Sequence, residues 1–384
     1  MTEGAQELRV AMVAARAHPL LGGIETHVHE VARRLGPRGV EVTVHTTDLT
    51  GELPRDETVD GYRIQRHSAW PRNRDYYLSP ALARAIRHVD ADVVHVQGVH
   101  TFVAPAALGA ARRAGIPAVL TFHTGGHSSA LRERIRGAQW RAIGPLVRGA
   151  AARVAVCQFE IDEFSRIWRL RPDQFRLIRN GSEPLPVDPE VAGPVADALP
   201  TGDPLVLSIG RLERYKGHHR VLAAMPALRR DAPGAHLVLV GSGPYEDALR
   251  SLAAALGVAG AVSYRAFGPD QRGALGALVA RADVVALLSE YEAHPVAVME
   301  ALGLGRPVVA ADTSGLHELG TSGLATLVPL EASGEHVASA LRREARANRW
   351  IAGPPSLPTW DDCADALVDL YREVAAQTPA GRPA

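Results

Sequence analysis

Only one of the 42 cationic side chains is a lysine: Lys216, in Gly210-Arg211-Leu212-Glu213-Arg214-Tyr215-Lys216-Gly217, directly after an apolar run. An ammonium is a compact point charge suited to a single phosphate oxygen, whereas a guanidinium is a planar fork that grips two. Arg211 and Lys216 together read as a phosphate clamp, against the alternative of a chance remnant on a solvated helix.

The segment Glu290-Tyr291-Glu292-Ala293-His294-Pro295-Val296-Ala297-Val298-Met299-Glu300-Ala301-Leu302-Gly303 follows a second apolar run, Val284 to Leu288. Pro295 suits the first position of a helix, where its missing N–H costs nothing. The N–H groups of Val296, Ala297 and Val298 are then expected to be free and aimed at an anionic oxygen. Glu292 falls in the loop before that helix and Glu300 more than a turn inside it, up to about 12 Å apart along the axis. A retaining glycosidase needs its two carboxyls about 5 to 5.5 Å apart and an inverting one about 6.5 to 9.5 Å, so these two do not suit such a pair. They suit two hydroxyl-bearing parts of one long ligand, with phosphates between them.

Two glycine turns add weaker signals. Leu20-Leu21-Gly22-Gly23-Ile24-Glu25 leads into Ile24, Val28, Val31 and Leu35 at helical spacing, so Gly22 and Gly23 either expose backbone N–H groups to a ligand or form a simple tight turn. Gly241-Ser242-Gly243-Pro244-Tyr245-Glu246 is the nearest match to a dinucleotide fingerprint, but Glu246 stands in the third glycine position, which disfavours nicotinamide chemistry. His123 and His127 are four apart, yet Gly125-Gly126 between them argues against a helical metal site. Asp90-Ala91-Asp92 reads as a turn and strand entry rather than a metal motif.

The elements that must position these residues are short β-branched runs alternating with amphipathic helices, the pattern of βαβ units and parallel sheets. Strands are predicted at residues 9–14, 40–45, 92–96, 117–122, 154–157 and 176–180, then at 205–210, 236–241, 262–267, 284–288, 307–311 and 325–328. Each set makes a complete doubly wound domain. The divisions are 1–182, a Pro-rich hinge 183–204, 205–358, and a final helix 359–376 that closes the second domain or crosses back to the first. The tail after Ala375 reads as disordered.

A length of 384 residues and an apolar fraction of 46% fit two such cores. The formal charge is zero overall, but residues 1–182 hold 25 Arg/Lys against 18 Asp/Glu and the rest 17 against 24. Lobes of net +7 and −7 facing a shared cleft would draw in an anion, although solvated faces that merely differ explain the counts equally well. Cys157 and Cys363 lack metal spacing and read as buried thiols. There is no secretion signal or run of about 18 apolar residues, which places the chain in the cytosol. Nucleic-acid recognition is disfavoured, since no patch interleaves aromatics with arginine. Residues 131–150 carry Arg132, Arg134, Arg136, Arg141 and Arg148 beside Leu131, Ile135, Trp140, Ile143, Leu146 and Val147. That face could meet a membrane surface, but packing on its own sheet is the favoured reading.

Taken together, Gly22-Gly23-Ile24-Glu25, the Gly-Arg-x-x-x-x-Lys-Gly of Gly210 to Gly217, Gly241-Ser242-Gly243-Pro244, and Glu292-x7-Glu300 followed by Gly305-Arg306-Pro307-Val308-Val309-Ala310 resemble the family 4 retaining glycosyltransferases of the GT-B fold. The resemblance spans nearly the whole chain and implies two Rossmann-like domains facing a cleft. It implies transfer of a hexosyl group from a UDP- or GDP-sugar to an acceptor hydroxyl, with retention and without metal or other cofactor. By it, Arg211 and Lys216 hold the donor diphosphate, Glu300 the ribose, Glu292 the donor sugar and Gly23 the phosphate side. Gly22, Gly210, Gly243, Phe267, Gly268, His294, Val296 and Ala297 line the donor, with Tyr264 to Gly268 meeting the nucleobase and His123 near the sugar. Relatives commonly carry Gly-Phe-Gly after the first glutamate where this chain has Ala293-His294-Pro295, so sugar selectivity does not carry over. The alternatives are a GT-B sugar-nucleotide epimerase, a phosphorylase, whose cofactor lysine would have to be Lys216, or a non-catalytic sugar-nucleotide-binding subunit.

Overall fold

The structure is a computed structural model that describes residues 8–20, 22–72, 77–123, 130–187, 201–347 and 357–377. The described residues group into two compact units. Those up to His123, from Leu131 to Gly181 and from Pro358 onward form the first, and Ser182 to Leu357 form the second.

The first unit is built on eight strands: β1 (Leu8–Ala14), β2 (Val40–Asp48), β3 (Asp56–Val59), β4 (Tyr62–Ser68), β5 (Val93–Gln97), β6 (Ala118–Thr121), β7 (Ala152–Ala155) and β8 (Arg176–Leu177). Their order is β3-β4-β2-β1-β5-β6-β7-β8, parallel throughout except for the β3–β4 hairpin. The second unit carries β9 (Leu205–Ile209), β10 (His236–Val240), β11 (Val262–Arg265), β12 (Val284–Leu287), β13 (Val308–Ala311) and β14 (Thr326–Val328), all parallel in the order β11-β10-β9-β12-β13-β14. Central strands such as Val93–Gln97, Val284–Leu287 and Val308–Ala311 are buried along their whole length. Helices cover both faces of a parallel sheet, so strand side chains are buried on both sides and the few polar ones must find partners inside.

All twelve predicted strands are present, with ends that shift by up to three residues. The largest differences are at 40–45, where the strand runs on to Asp48, at 176–180, where pairing stops at Leu177, and at 154–157, where the strand is Ala152–Ala155 and Cys157 caps the helix Gln158–Trp168. The hairpin β3–β4 was not predicted, because its strands are charge-rich and sit at a sheet edge. The missed signal is Asp60-Gly61, whose φ values of 45° and 86° make the tight turn.

The final helix, Trp360–Ala376, belongs to the first unit. It opens on a capping box in which Thr359 Oγ1 accepts from the Asp362 N–H at 3.0 Å and Asp362 accepts from the Thr359 N–H at 2.9 Å. Trp360, Cys363, Ala364, Leu367, Tyr371 and Val374 form its buried stripe, and Arg38 donates to Asp365 and Asp361 at 2.6 and 2.7 Å. The Cys363 thiol is pushed up to about 12 by burial, which leaves it inert. Of the segment predicted as a hinge, residues 183–187 pack with the second unit, where Leu185 is 3% exposed in the core. Residues 188–200 lie outside the described residues, as do 378–384 of the predicted tail.

In the helix Ala130–Arg148, Trp140, Ile143 and Val147 lie in the first unit's core, so from Trp140 onward the apolar face is covered by the protein itself. The side chains of residues 131–136 are outside the described set. Among the described residues no helix is long and apolar enough to cross a membrane.

Leu367 is 1% exposed. Leu367→Ala is expected to destabilise the first unit by about 3 kcal/mol. Urea unfolding followed by tryptophan fluorescence reads this directly, because Trp70, Trp140, Trp168 and Trp360 all belong to that unit.

Candidate active site

In an open parallel sheet, loops at the carboxyl ends of the strands diverge where the strand order reverses, leaving a crevice there. In the second unit that point lies between β9 and β12. The loop after β9 carries Gly210 to Gly217 and the loop after β12 carries Ser289 to Pro295. Gly217 lets the two approach, since at φ 74° a Cβ there would fall 1.8 Å from the Leu288 carbonyl oxygen. This close passage delivers Lys216 to Glu292.

Lys216 Nζ donates to Glu292 Oε1 at 2.6 Å, with the two side chains 17% and 11% exposed. Burial works against the ammonium's charge, but Glu292, with Tyr215, outweighs it and holds the lysine pKa above its ordinary value. Ser289 Oγ donates to the same carboxylate oxygen at 2.9 Å, and the Glu292 backbone N–H donates to Ser314 Oγ at 2.9 Å. Arg211 is about half exposed. It donates to Tyr215 Oη at 2.9 Å and pairs with Glu213 at 2.6 Å.

Neighbouring loops back this arrangement. The Leu212 N–H donates to the Ser242 carbonyl and the Tyr245 N–H to the Leu212 carbonyl, both at 2.9 Å, lacing the loop after β10 onto the loop after β9. Gly243 sits so close to Leu212 that a Cβ would fall 2.4 Å from its carbonyl oxygen. At the end of the edge strand β11, Phe267 packs against the core and the Gly268 N–H donates to Gln271 Oε1 at 2.9 Å. Next to it Arg272 donates to Glu300 Oε1 at 2.5 Å, Glu300 being 10% exposed.

The helix Val296–Gly303 starts one residue later than predicted. Pro295 is its cap, with ψ 114°, and its carbonyl accepts from the Val298 and Met299 N–H groups at 3.1 and 3.2 Å. Val298 is therefore not a free donor. Val296 and Ala297 keep the two N–H groups that precede any intrahelical acceptor. His294 is buried just before the cap.

In the first unit the order reverses between β1 and β5. The helix Gly23–Leu35 starts beyond β1, and a Cβ on Gly23 would meet no described atom within 4 Å. His123 follows β6 with φ 45°; its Nε2 lies 2.8 Å from Gln97 Oε1 and its ring 4.4 Å from that of His27. Burial pushes His123 well below the ordinary histidine range and His27 to about 4. Residues 124–129, including His127, lie outside the described residues. Asp90 and Asp92 pair with Arg9 at the amino ends of β1 and β5, the opposite edge of the sheet from these groups.

The sequence model of Glycosyltransferase Family 4 matches residues 21–184 and that of Glycosyl transferases group 1 matches residues 195–353. The D-inositol 3-phosphate glycosyltransferase of Nocardiopsis dassonvillei is 30% identical, over 96% of this chain and 95% of its own. The chain belongs to the family 4 glycosyltransferases. The glycogen synthase of Mycobacterium tuberculosis is 28% identical over 95% of this chain and 94% of its own. Among solved structures, sucrose-phosphate synthase from Thermosynechococcus elongatus superposes with TM-score 0.73 at 19% identity, covering 96% of this chain and 99% of that one. Anabaena HepE in complex with UDP and glucose gives 0.69 at 19% identity, covering 96% and 98%. These likenesses establish the GT-B fold.

Within this family 4 glycosyltransferase, sequence reading found Arg211, Lys216, Glu292 and Glu300 but not their partners. Tyr215 lies inside the Gly210–Gly217 motif and Ser289 immediately before the Glu290–Gly303 segment, so both could have been suspected. Arg272 carried no signal, because nothing local distinguishes one arginine of 41. Gln97 and His27 were likewise hidden, one ending a buried strand and the other on a helix.

Two outcomes test this geometry. In a double-mutant cycle, Lys216→Met and Glu292→Gln should each destabilise the second unit by about 2–3 kcal/mol, with the double variant costing less than their sum. Acidification should weaken the first unit. Above about pH 6.5 His27 and His95 are neutral folded and unfolded alike; below it the unfolded chain takes up protons that they refuse until about 4 and 3. Each should remove about 1.4 kcal/mol per pH unit in that window, and His27→Gln should flatten the slope measured by urea titration.

Proposed function

We propose that the protein is a retaining hexosyltransferase that uses a UDP- or GDP-sugar donor, needs no metal, and transfers to an acceptor hydroxyl. The observation that carries this reading is the meeting of Lys216 and Glu292 at the switch point of the second unit, beside Arg211 and the helix start at Val296. HepE, solved with UDP and glucose, supports the donor class.

In this reading the donor exchanges partners with the chain. Arg211 and Lys216 are held by Glu213 and Glu292 when no anion is bound, and a diphosphate offers both cations a more highly charged partner. Glu292 then turns to sugar hydroxyls and Glu300 to the ribose, with Arg272 holding the Glu300 carboxylate in place. Gly210, Gly243, Phe267, Gly268, His294, Val296 and Ala297 line the nucleotide and phosphates, and Gly22, Gly23 and His123 of the first unit act on the phosphate and sugar as the family resemblance implies.

As the glycosidic bond breaks, negative charge grows on the β-phosphate, where Arg211, Lys216 and the Val296 and Ala297 N–H groups stabilise it. The acceptor attacks the face the diphosphate leaves, with a phosphate oxygen as base, so no protein nucleophile is required and the anomeric configuration is retained. Two fixed cations and a helix start supply the charge that a metal would otherwise bring.

Thermal-shift measurements with UDP, GDP and their sugars should raise the Tm for one nucleotide series. Lys216→Ala should keep the fold at a lower Tm and lose transfer by at least about 100-fold. A chelator should leave the rate unchanged, and NMR of the product should report the donor's anomeric configuration. A Lys216→Ala protein that turns over at the wild-type rate would overturn the assignment.

A further inference from the structure

His123 sits at the end of a buried polar chain that begins on the last helix of the protein. Tyr371 Oη lies 2.6 Å from His95 Nδ1, and Thr121 Oγ1 lies 2.7 Å from His95 Nε2, so a hydroxyl faces each ring nitrogen and the ring cannot rotate without losing both. The Gln97 amide nitrogen lies 3.3 Å from both nitrogens of that ring, and its amide oxygen lies 2.8 Å from His123 Nε2. Every member is buried: His95 0%, Gln97 4%, Thr121 0%, His123 6% and Tyr371 0% exposed. Burial keeps the phenol's ionisation well above its ordinary range, so Tyr371 remains a hydroxyl.

The orientation of one amide decides the chemistry. An amide oxygen only accepts, so the His123 nitrogen that meets it must carry the proton. The reverse amide orientation would set the oxygen against a ring whose two nitrogens are already matched to hydroxyls. The backbone is fixed as well, because His100 Nε2 donates to the His123 carbonyl at 2.7 Å. The groups facing His123 that could change its charge are themselves histidines, His27, His95 and His100, and His27 is committed through Nδ1 to Asn180 Oδ1 at 3.0 Å.

We propose that Gln97, braced by His95 and Tyr371, is a positioning residue that holds His123 as its Nε2–H tautomer, leaving Nδ1 as the acceptor offered to a ligand hydroxyl. Only the last clause rests on the glycosyltransferase reading. The final helix, 248 residues beyond His123 in the chain, thereby sets the protonation state of a group in the first unit. A hydroxyl donating to Nδ1 reads a sugar position by hydrogen bonding, whereas an imidazolium could only donate to it.

The test is NMR of the full chain carrying 15N-labelled histidine, with the His123 signals identified by their loss in His123→Asn. The wild type should show Nε2 protonated and Nδ1 bare from pH 5 to 8. In Gln97→Met the nearly equal-sized side chain offers no acceptor, so His123 should become a mixture of tautomers and kcat should fall about 10- to 100-fold. Gln97→Glu should restore the Nε2–H but add a second proton at the acid end of the range, giving transfer a pH dependence the wild type lacks. Tyr371→Phe should produce a weaker form of the Gln97→Met change, and it decides the matter if Gln97→Met does not fold. Wild-type His123 protonated at Nδ1, or an unshifted tautomer in Gln97→Met or, where that variant does not fold, in Tyr371→Phe, would overturn the proposal. The tautomer is read without substrate, so a protein that transfers no sugar would overturn the functional reading while leaving this one to its own result.

Discussion

A buried ammonium against a buried carboxylate is the constraint on which the second unit's chemistry depends. Neither Lys216 nor Glu292 would be tolerable alone at that depth, since an isolated ion loses far more hydration than the interior returns. Together, with Ser289 on the same carboxylate oxygen, they are neutral as a pair and tie the loop after β9 to the loop after β12. The two loops are thus held in place by the same groups that are proposed to engage the donor. Arg211 differs: about half exposed and paired with Glu213 beside it, it keeps much of its hydration.

The sheet explains why these groups can meet. Parallel pairing such as Val285 with Val308 and Val284 with Val206 uses strands that are apolar on both faces, so the charged side chains of this unit's candidate site come from the loops and helix starts beyond their ends. Reversal of strand order then gathers the loops after β9 and β12, while Asp90 and Asp92 fall at the opposite edge of the other sheet and take up the structural task of pairing with Arg9.

The first unit solves a different problem. The buried chain from Tyr371 to His123 is made of neutral histidines, a glutamine, a threonine and a tyrosine, joined by hydrogen bonds instead of ion pairs. Such a network avoids the cost of buried charge and specifies proton positions, which an ion pair does not. It is also acid-sensitive, because each imidazole is kept neutral by burial.

Local sequence was enough to determine twelve of the fourteen strands and the glycine loops after β9 and β10, and to single out Arg211, Lys216, Glu292 and Glu300 as candidates, because periodicity and turn chemistry act over a few neighbours. Where a feature depended on a single backbone angle it was only partly legible: Pro295 is the cap and not the first helical residue, and its carbonyl takes up the Val298 N–H. Pairings across long stretches of chain were decided by the tertiary structure alone. Lys216 meets Glu292 over 76 residues and Arg272 meets Glu300 over 28, while Tyr371 meets His95 over 276. Nothing in a run of amino acids specifies which distant carboxylate a cation will reach; strand order and the close passage of Gly217 over Leu288 specify it, and those exist only once the sheet has formed.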